Sequence, residues 1–158
     1  MTQRRRSRSK LLSGQSVTFL TSQVGARSSQ LWSERLGVAG LQVRPAMLLW
    51  NVASVEGRTQ QELAKALRLP ASRVVDLVDA LEAQGHLERR VKASDRRARQ
   101  LYVTESGRQM LDQIMTIAAE HEEQFTAGLT PSEQAMLIKL LSKVATDRGL
   151  ASRVHPEF

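Results

Sequence analysis

The apolar positions of this chain recur at two different periods, and the switch between them organises the reading. From about residue 16 to 37, Val17, Leu20, Val24, Leu31 and Leu36 return near helical spacing, which predicts a first helix. Gly37 and Gly40 then punctuate the chain. RPAMLLWNVASVE (44–56) predicts a short apolar helix with Pro45 in its first turn, where a missing N–H is tolerated. After Gly57, TQQELAKAL (59–67) offers Thr59 as a cap and Glu62 three residues later, a capping box. LRLP (67–70) turns the chain. ASRVVDLVDALEAQG (71–85) then predicts a second amphipathic helix, with Val74, Leu77, Val78 and Leu81 inward and Gly85 as its stop. There the period changes: LERRV (87–91) and QLYVT (100–104) predict two short strands joined by an eight-residue loop.

The helical period returns after the strands. Thr104 is placed to cap a long helix over about 105–127, with Leu111, Ile114, Ala118, His121 and Phe125 on one seam. TPSE (130–133) starts another helix with a cap, proline at the first position and glutamate at the third. Leu137, Leu140, Leu141 and Val144 make its apolar stripe. Helix, tight turn, helix and β-hairpin is a winged helix-turn-helix order. The expected fold class is therefore mainly α (α+β): a winged helix-turn-helix lobe flanked by helices. The chain divides into a basic disordered arm (1–14), an N-terminal dimerisation helix (15–40), the DNA-binding lobe (41–104), C-terminal dimerisation helices (105–150) and a tail (151–158). The lobe can bury only part of the apolar area on its flanking helices. The remainder is expected to meet a second copy, making a homodimer.

Charge sharpens this picture. Residues 1–40 carry seven basic and one acidic side chain, +6; residues 41–104 carry eleven and seven, +4; residues 105–150 carry four and seven, −3. A positive front and middle with a negative tail suits a polyanion held by one part of the molecule. The 158 residues contain no cysteine, which excludes disulfides, thiolate metal sites and thiol redox sensing. No apolar run approaches the roughly 20 residues that span a bilayer. The basic start, MTQRRRSRSK, lacks the apolar stretch of a secretory signal. A cytoplasmic protein with no membrane partner is expected.

Chemistry follows from placement. A helix fits the major groove of B-DNA, and residues near its start reach base edges. On 71–84 these are Ser72, Arg73 and, a turn on, Asp76. Arg73 has the geometry for guanine O6/N7 or a phosphate, although Ser72 as a cap and Arg73 as a solvated charge are the plainer alternatives. A carboxylate facing DNA is repelled unless it accepts from cytosine N4, so Asp76 is expected to pair with Arg73, three positions earlier, and orient it. Thr59 and Gln60 open the first helix of the pair, where amides and the helix dipole favour a phosphate. In KASDRRARQLYVT (92–104), Arg96, Arg97 and Arg99 crowd around Asp95. A hairpin beside a recognition helix reaches the neighbouring minor groove, whose negative potential draws an arginine. An acid two residues away holds that guanidinium, and the remaining arginines take phosphates.

These residues resemble the MarR family of bacterial transcriptional regulators over about 41–110. The resemblance rests on TQQELAKALRLPASRVVDLVDALEAQGHLERR and SDRRARQLYVTESGRQML, with the D-x-R wing signature at Asp95 and Arg97 and Gly107 soon after Thr104. It implies a homodimer on a pseudo-palindromic operator, usually a repressor. Many members release DNA when a small aromatic or phenolic anion binds between the dimerisation helices and the DNA-binding lobe. It also implies that Arg97 enters the minor groove with Asp95 as its buttress, and that Ser72 and Arg73 occupy base- or phosphate-contacting slots. This chain departs from the pattern at Val75, where a hydroxyl is common, at Asp76, where an arginine often contacts DNA, and at Pro70, where a capping aspartate is frequent.

No catalytic constellation can be assembled, and no cofactor or metal is expected. His86 follows a helix-stopping glycine, His155 lies in the tail, and His121 sits on an apolar seam as a satisfied interface histidine. Adjacent Glu122 and Glu123 point elsewhere on a helix and make no metal cage with it. Trp32, Trp50 and Phe19 could line an effector pocket beside Arg27 or Arg44, but helix core is the expectation for each aromatic, and no effector site is assigned. The reading of another class is a winged-helix protein-interaction module whose DNA contact is weakened by Asp76.

Overall fold

The computed structural model describes residues 16–92 and 95–150, with the side chains of 92–97 outside that description. The arm at 1–14, the tail at 151–158 and His155 lie outside the described residues. Eight elements follow in order: α1 (Val17–Val38), α2 (Val43–Ser54), α3 (Gln60–Leu67), α4 (Ala71–Ala83), β1 (Leu87–Lys92), β2 (Asp95–Val103), α5 (Glu105–Phe125) and α6 (Pro131–Asp147).

Local chemistry sets most of the boundaries. Thr59 and Thr130 each close a capping box, with Glu62 and Glu133 respectively, and Thr104 Oγ1 accepts from Gly107 N at 3.1 Å. Such caps contribute about 1 kcal/mol each. Gly85 ends α4 at φ +75, a conformation glycine adopts without strain, while His86 N donates to Leu81 O at 2.8 Å. The helix-turn-helix turn uses a costlier device. Arg68, not a glycine, takes the left-handed conformation after α3 at φ 55.

Two cores result. The larger joins Leu48, Leu49 and Val52 of α2, Leu63 and Leu67 of α3, Val74, Val78 and Leu81 of α4, and Leu87, Leu101 and Val103 of the hairpin. The smaller joins Trp32 and Leu36 of α1 to Val43, Ala46 and Ile114. Met110 and Leu111 of α5 pack against both, so α5 ties the lobe to α1. Nothing on α6 is buried: Met136, Leu137, Ile138, Leu140, Leu141 and Val144 are 41–59% exposed.

The hairpin is longer than the sequence suggests. Instead of an eight-residue loop after residue 91, the ladder runs to Lys92 and resumes at Asp95. Its register breaks between Val91, which faces Arg99, and Lys92, which faces Asp95. The run of charged residues is a poor signal for a strand because strand propensity mostly reports side-chain burial.

Where α5 begins, Gly107 is seated on backbone. A Cβ there would lie 2.7 Å from Val103 Cγ1 and closer still to the His86 carbonyl oxygen. Neither neighbour can swing aside, since Thr104 N also donates to that carbonyl at 3.2 Å. Gly107→Ala is expected to destabilise the fold by about 2–3 kcal/mol, read from chemical denaturation. A variant as stable as wild type would contradict this packing.

Candidate nucleic-acid interface

The buried stripe of α4, Val74, Val78 and Leu81, leaves Ser72, Arg73, Val75, Asp76 and Asp79 exposed. Asp76 is two residues from both Val74 and Val78, which places it on the side of the helix opposite the core. Pro70 caps α4 without a side-chain bond, so Ser72 is not spent as a cap. The expected Arg73–Asp76 pair does not form: among the described residues no ion pair joins them. The spacing permits the pair, but an exposed pair at this separation is worth only about 0.2–0.5 kcal/mol, too little to hold two solvated side chains together.

The acids that are paired on this helix are Asp79 and Glu82. Arg89 of β1 bonds both Asp79 and Glu82 of α4, and Arg89 N donates to Glu82 Oε1 at 3.2 Å. Burial acts to lower the Arg89 pKa, but its bonds to Asp79 and Glu82 outweigh burial and raise it. This bracket locks the recognition helix to the wing's first strand. It was invisible in the sequence because Arg89 is seven and ten positions from its partners, and only the hairpin's docking brings them together.

The wing has a second support. Leading into α3, Gly57 N donates to Leu101 O and Leu101 N donates to Arg58 O, each at 2.9 Å, and Thr59 bridges Gln100. Gln100 Nε2 donates to Gly57 O at 2.7 Å, and Val103 N donates to Glu56 Oε1 at 2.9 Å. Gly57, at φ +83, admits the Tyr102 hydroxyl, which would stand 3.2 Å from an added Cβ. On the hairpin face the Arg90 guanidinium lies 4.4 Å from the centre of the Tyr102 ring and also pairs with Glu88. Arg90 is thus a fixed cation beside the wing that the motif reading passed over.

The candidate residues fall in three places. Ser72, Arg73 and Asp76 share the exposed face of α4. Asp95, Arg96 and Arg97 lie in β2, and their side chains are outside the described residues; Arg99, on the same strand, is exposed. Thr59 and Gln60 open α3. Glu62 takes both donors of Thr59, N–H at 2.7 Å and Oγ1 at 2.9 Å, while Gln60 Nε2 is buried with no partner. Thr59 therefore holds the turn, and a phosphate there would meet the remaining backbone of the first turn.

At the other end, α1 and α5 enclose His121. Its ring lies 5.8 Å from Trp32 and 5.6 Å from Phe125, and Nε2 bonds Ser28 Oγ at 3.1 Å. The histidine is only half satisfied, contrary to expectation: Nδ1 is buried with no partner, as are Trp32 Nε1 and Arg35 Nε. Trp32 is core as expected and Trp50 is half-buried, but Phe19 is 46% exposed. Among the described residues no group of His, Asp and Glu could hold a metal.

Burial, and the positive Arg35 nearby, lower the His121 pKa below its ordinary value of 6.5, with Glu122 opposing. The unfolded chain therefore takes up this proton first. The contribution is complete above pH 6.5 and is lost as pH falls below it. We expect His121→Gln to flatten the acid side of the stability profile, measured by thermal melts across pH. An identical profile would exclude His121 as its source.

A second helix braced to a two-stranded wing, on a helical scaffold, defines a winged helix-turn-helix protein. Residues 39–98 match the sequence model of the MarR family. The reduced form of MarR from E. coli is 25% identical, with a TM-score of 0.71 over 82% of this chain and 96% of that one. The transcriptional repressor CouR bound to a 23-mer DNA duplex is 25% identical, with a TM-score of 0.74 over 86% and 95%. CouR from Rhodococcus jostii RHA1 bound to p-coumaroyl-CoA is 28% identical, with a TM-score of 0.67 over 82% and 91%. Over residues 39–98 and in its fold the chain is similar to MarR-family transcriptional regulators.

Proposed function

We propose that this protein is a ligand-responsive repressor that binds a pseudo-palindromic operator as a homodimer. The observation that carries it is the union of a braced recognition helix with α1 and α6, whose apolar faces lie open. On α1, Val17, Phe19, Leu20 and Val24 are 46–76% exposed. With the uncovered stripe of α6 they are two apolar helix faces of the kind that mark protein–protein contact. A second copy covers both, and its twofold axis turns two α4 helices toward successive turns of one duplex.

In this reading α4 enters the major groove with Ser72 and Arg73 at base edges or phosphates. Arg97 enters the adjoining minor groove with Asp95 beside it, Arg96 and Arg99 take phosphates, and the start of α3 at Thr59 and Gln60 meets the backbone. Residues 15–40 and 105–150 serve as the dimerisation segments and 41–104 as the DNA-binding lobe. The protein acts in the cytoplasm; no helix among the described residues is long and apolar enough to cross a membrane. The proteins it matches are regulators rather than enzymes, and CouR is described both on DNA and with an aromatic acyl thioester. A small aromatic or phenolic anion is accordingly the effector class we assign.

Titration against the DNA upstream of its own coding region, at several salt concentrations, tests this. A steep salt dependence with preference over random duplex is expected, because phosphate neutralisation releases counterions. Weak, salt-insensitive binding would favour the protein-interaction module instead.

A further inference from the structure

We infer that Asp76 determines base specificity, by accepting a hydrogen bond from the N4 amine of a cytosine in each operator half-site. The inference rests on the DNA-binding reading above and deepens it.

Three acids lie on α4 from its middle onward: Asp76, Asp79 and Glu82. Arg89 pairs with the last two. Asp76 has no such cation among the described residues: its expected partner Arg73, three positions away, is not bonded to it. It is exposed and stands opposite Val74 and Val78, at the centre of the face that approaches DNA. An anion in that position repels phosphates and weakens binding to every sequence alike. It becomes favourable only where the groove floor offers it a donor.

The major groove restricts that donor sharply. Guanine presents O6 and N7 and thymine presents O4, all acceptors, which a carboxylate avoids. Adenine presents its N6 amine beside the N7 acceptor, so a carboxylate bonded to the first is crowded by the second. Cytosine presents its N4 amine with only a C–H edge beside it. A carboxylate therefore selects cytosine, and its repulsion from other bases adds to the selection. Because the acid penalises non-specific binding while the amine offsets that penalty at one base pair, Asp76 widens the ratio between operator and random DNA.

The test is in-vitro selection from a randomised duplex library with the full-length protein, comparing wild type with Asp76→Ala and Asp76→Asn. The site is exposed, so melting temperatures are expected to match wild type. Wild type should enrich a motif with one C·G pair at symmetry-related positions in both half-sites. With Asp76→Ala, discrimination at that pair should fall about tenfold while the rest of the motif persists. Asp76→Asn should move the preference toward adenine, whose N6 and N7 suit an amide. A wild-type motif that Asp76→Ala leaves unchanged, or tighter binding of every sequence equally, would overturn the assignment while leaving DNA binding intact. No enriched motif from wild type would overturn the DNA-binding reading and this inference with it.

Discussion

Replacing Leu137 and Leu141 with aspartate is expected to convert the proposed dimer to a monomer and to lower operator affinity by about 100-fold or more. Both leucines lie on α6, 41% and 45% exposed, and α6 has no buried residue. Neither substitution disturbs the core of the chain, so circular dichroism should show an intact helical fold. In the assembly each leucine would otherwise bury an apolar side chain worth about 1.5–3 kcal/mol, and a carboxylate in its place would have to be desolvated. The loss on DNA follows from linkage: once the halves separate, the second half-site no longer binds at the high local concentration the dimer supplies. Sedimentation gives the mass and a titration gives the affinity. A doubly substituted protein that remains dimeric would remove α6 from the interface.

Arg97→Ala is the second large effect, and it should dissociate the two properties. Operator affinity is expected to fall about tenfold to a hundredfold with the proposed dimer unchanged, because none of the residues packed with α1 in the smaller core belongs to the hairpin. The loss should be greatest on operators whose flanks are A·T-rich, where the minor groove is narrow and its potential most negative. Arg97→Lys should recover little, since the smaller, more strongly hydrated ammonium gives up less readily the water that a narrow groove excludes. Affinity unchanged by Arg97→Ala would strike Arg97 from the interface.

The lobe was legible in the sequence because its signals are local. Thr59 with Glu62, the apolar spacing of Val74, Val78 and Leu81, and the stop at Gly85 each specify a boundary within a few residues, and the structure places all of them as expected. Thr104 and Thr130 were legible for the same reason. What escaped depends on distant parts of the chain. The Arg89 bracket needs β1 docked on α4, and the seat of Gly107 needs His86 brought to the start of α5. The extent of the hairpin escaped because Lys92 and Asp95, which pair in its ladder, belong to a charged run that is a poor strand signal. The Arg73–Asp76 pair was suggested by a spacing that allows contact without compelling it. His121 was placed on the right seam, but the partner of only one of its nitrogens is present.

These observations give the molecule a division of labour. The recognition helix is immobilised by Arg89 on one side and by the hydrophobic core beneath it. The wing is sewn to the entrance of α3 by the bonds of Glu56, Gly57 and Gln100. Through Met110 and Leu111, α5 then joins this rigid reader to α1. In the dimer proposed above, a change in how two copies meet along α1 would be carried through α5 to the spacing of two intact readers.

The central claim is that two such readers are held on one twofold axis, and the most direct measurement is a hydroxyl-radical footprint with mass determination of the protein–DNA complex. Two chains on one duplex are expected, with protected half-sites in inverted orientation about one helical turn apart, some 10 base pairs centre to centre. One chain per site, or protection without inverted symmetry, would contradict it.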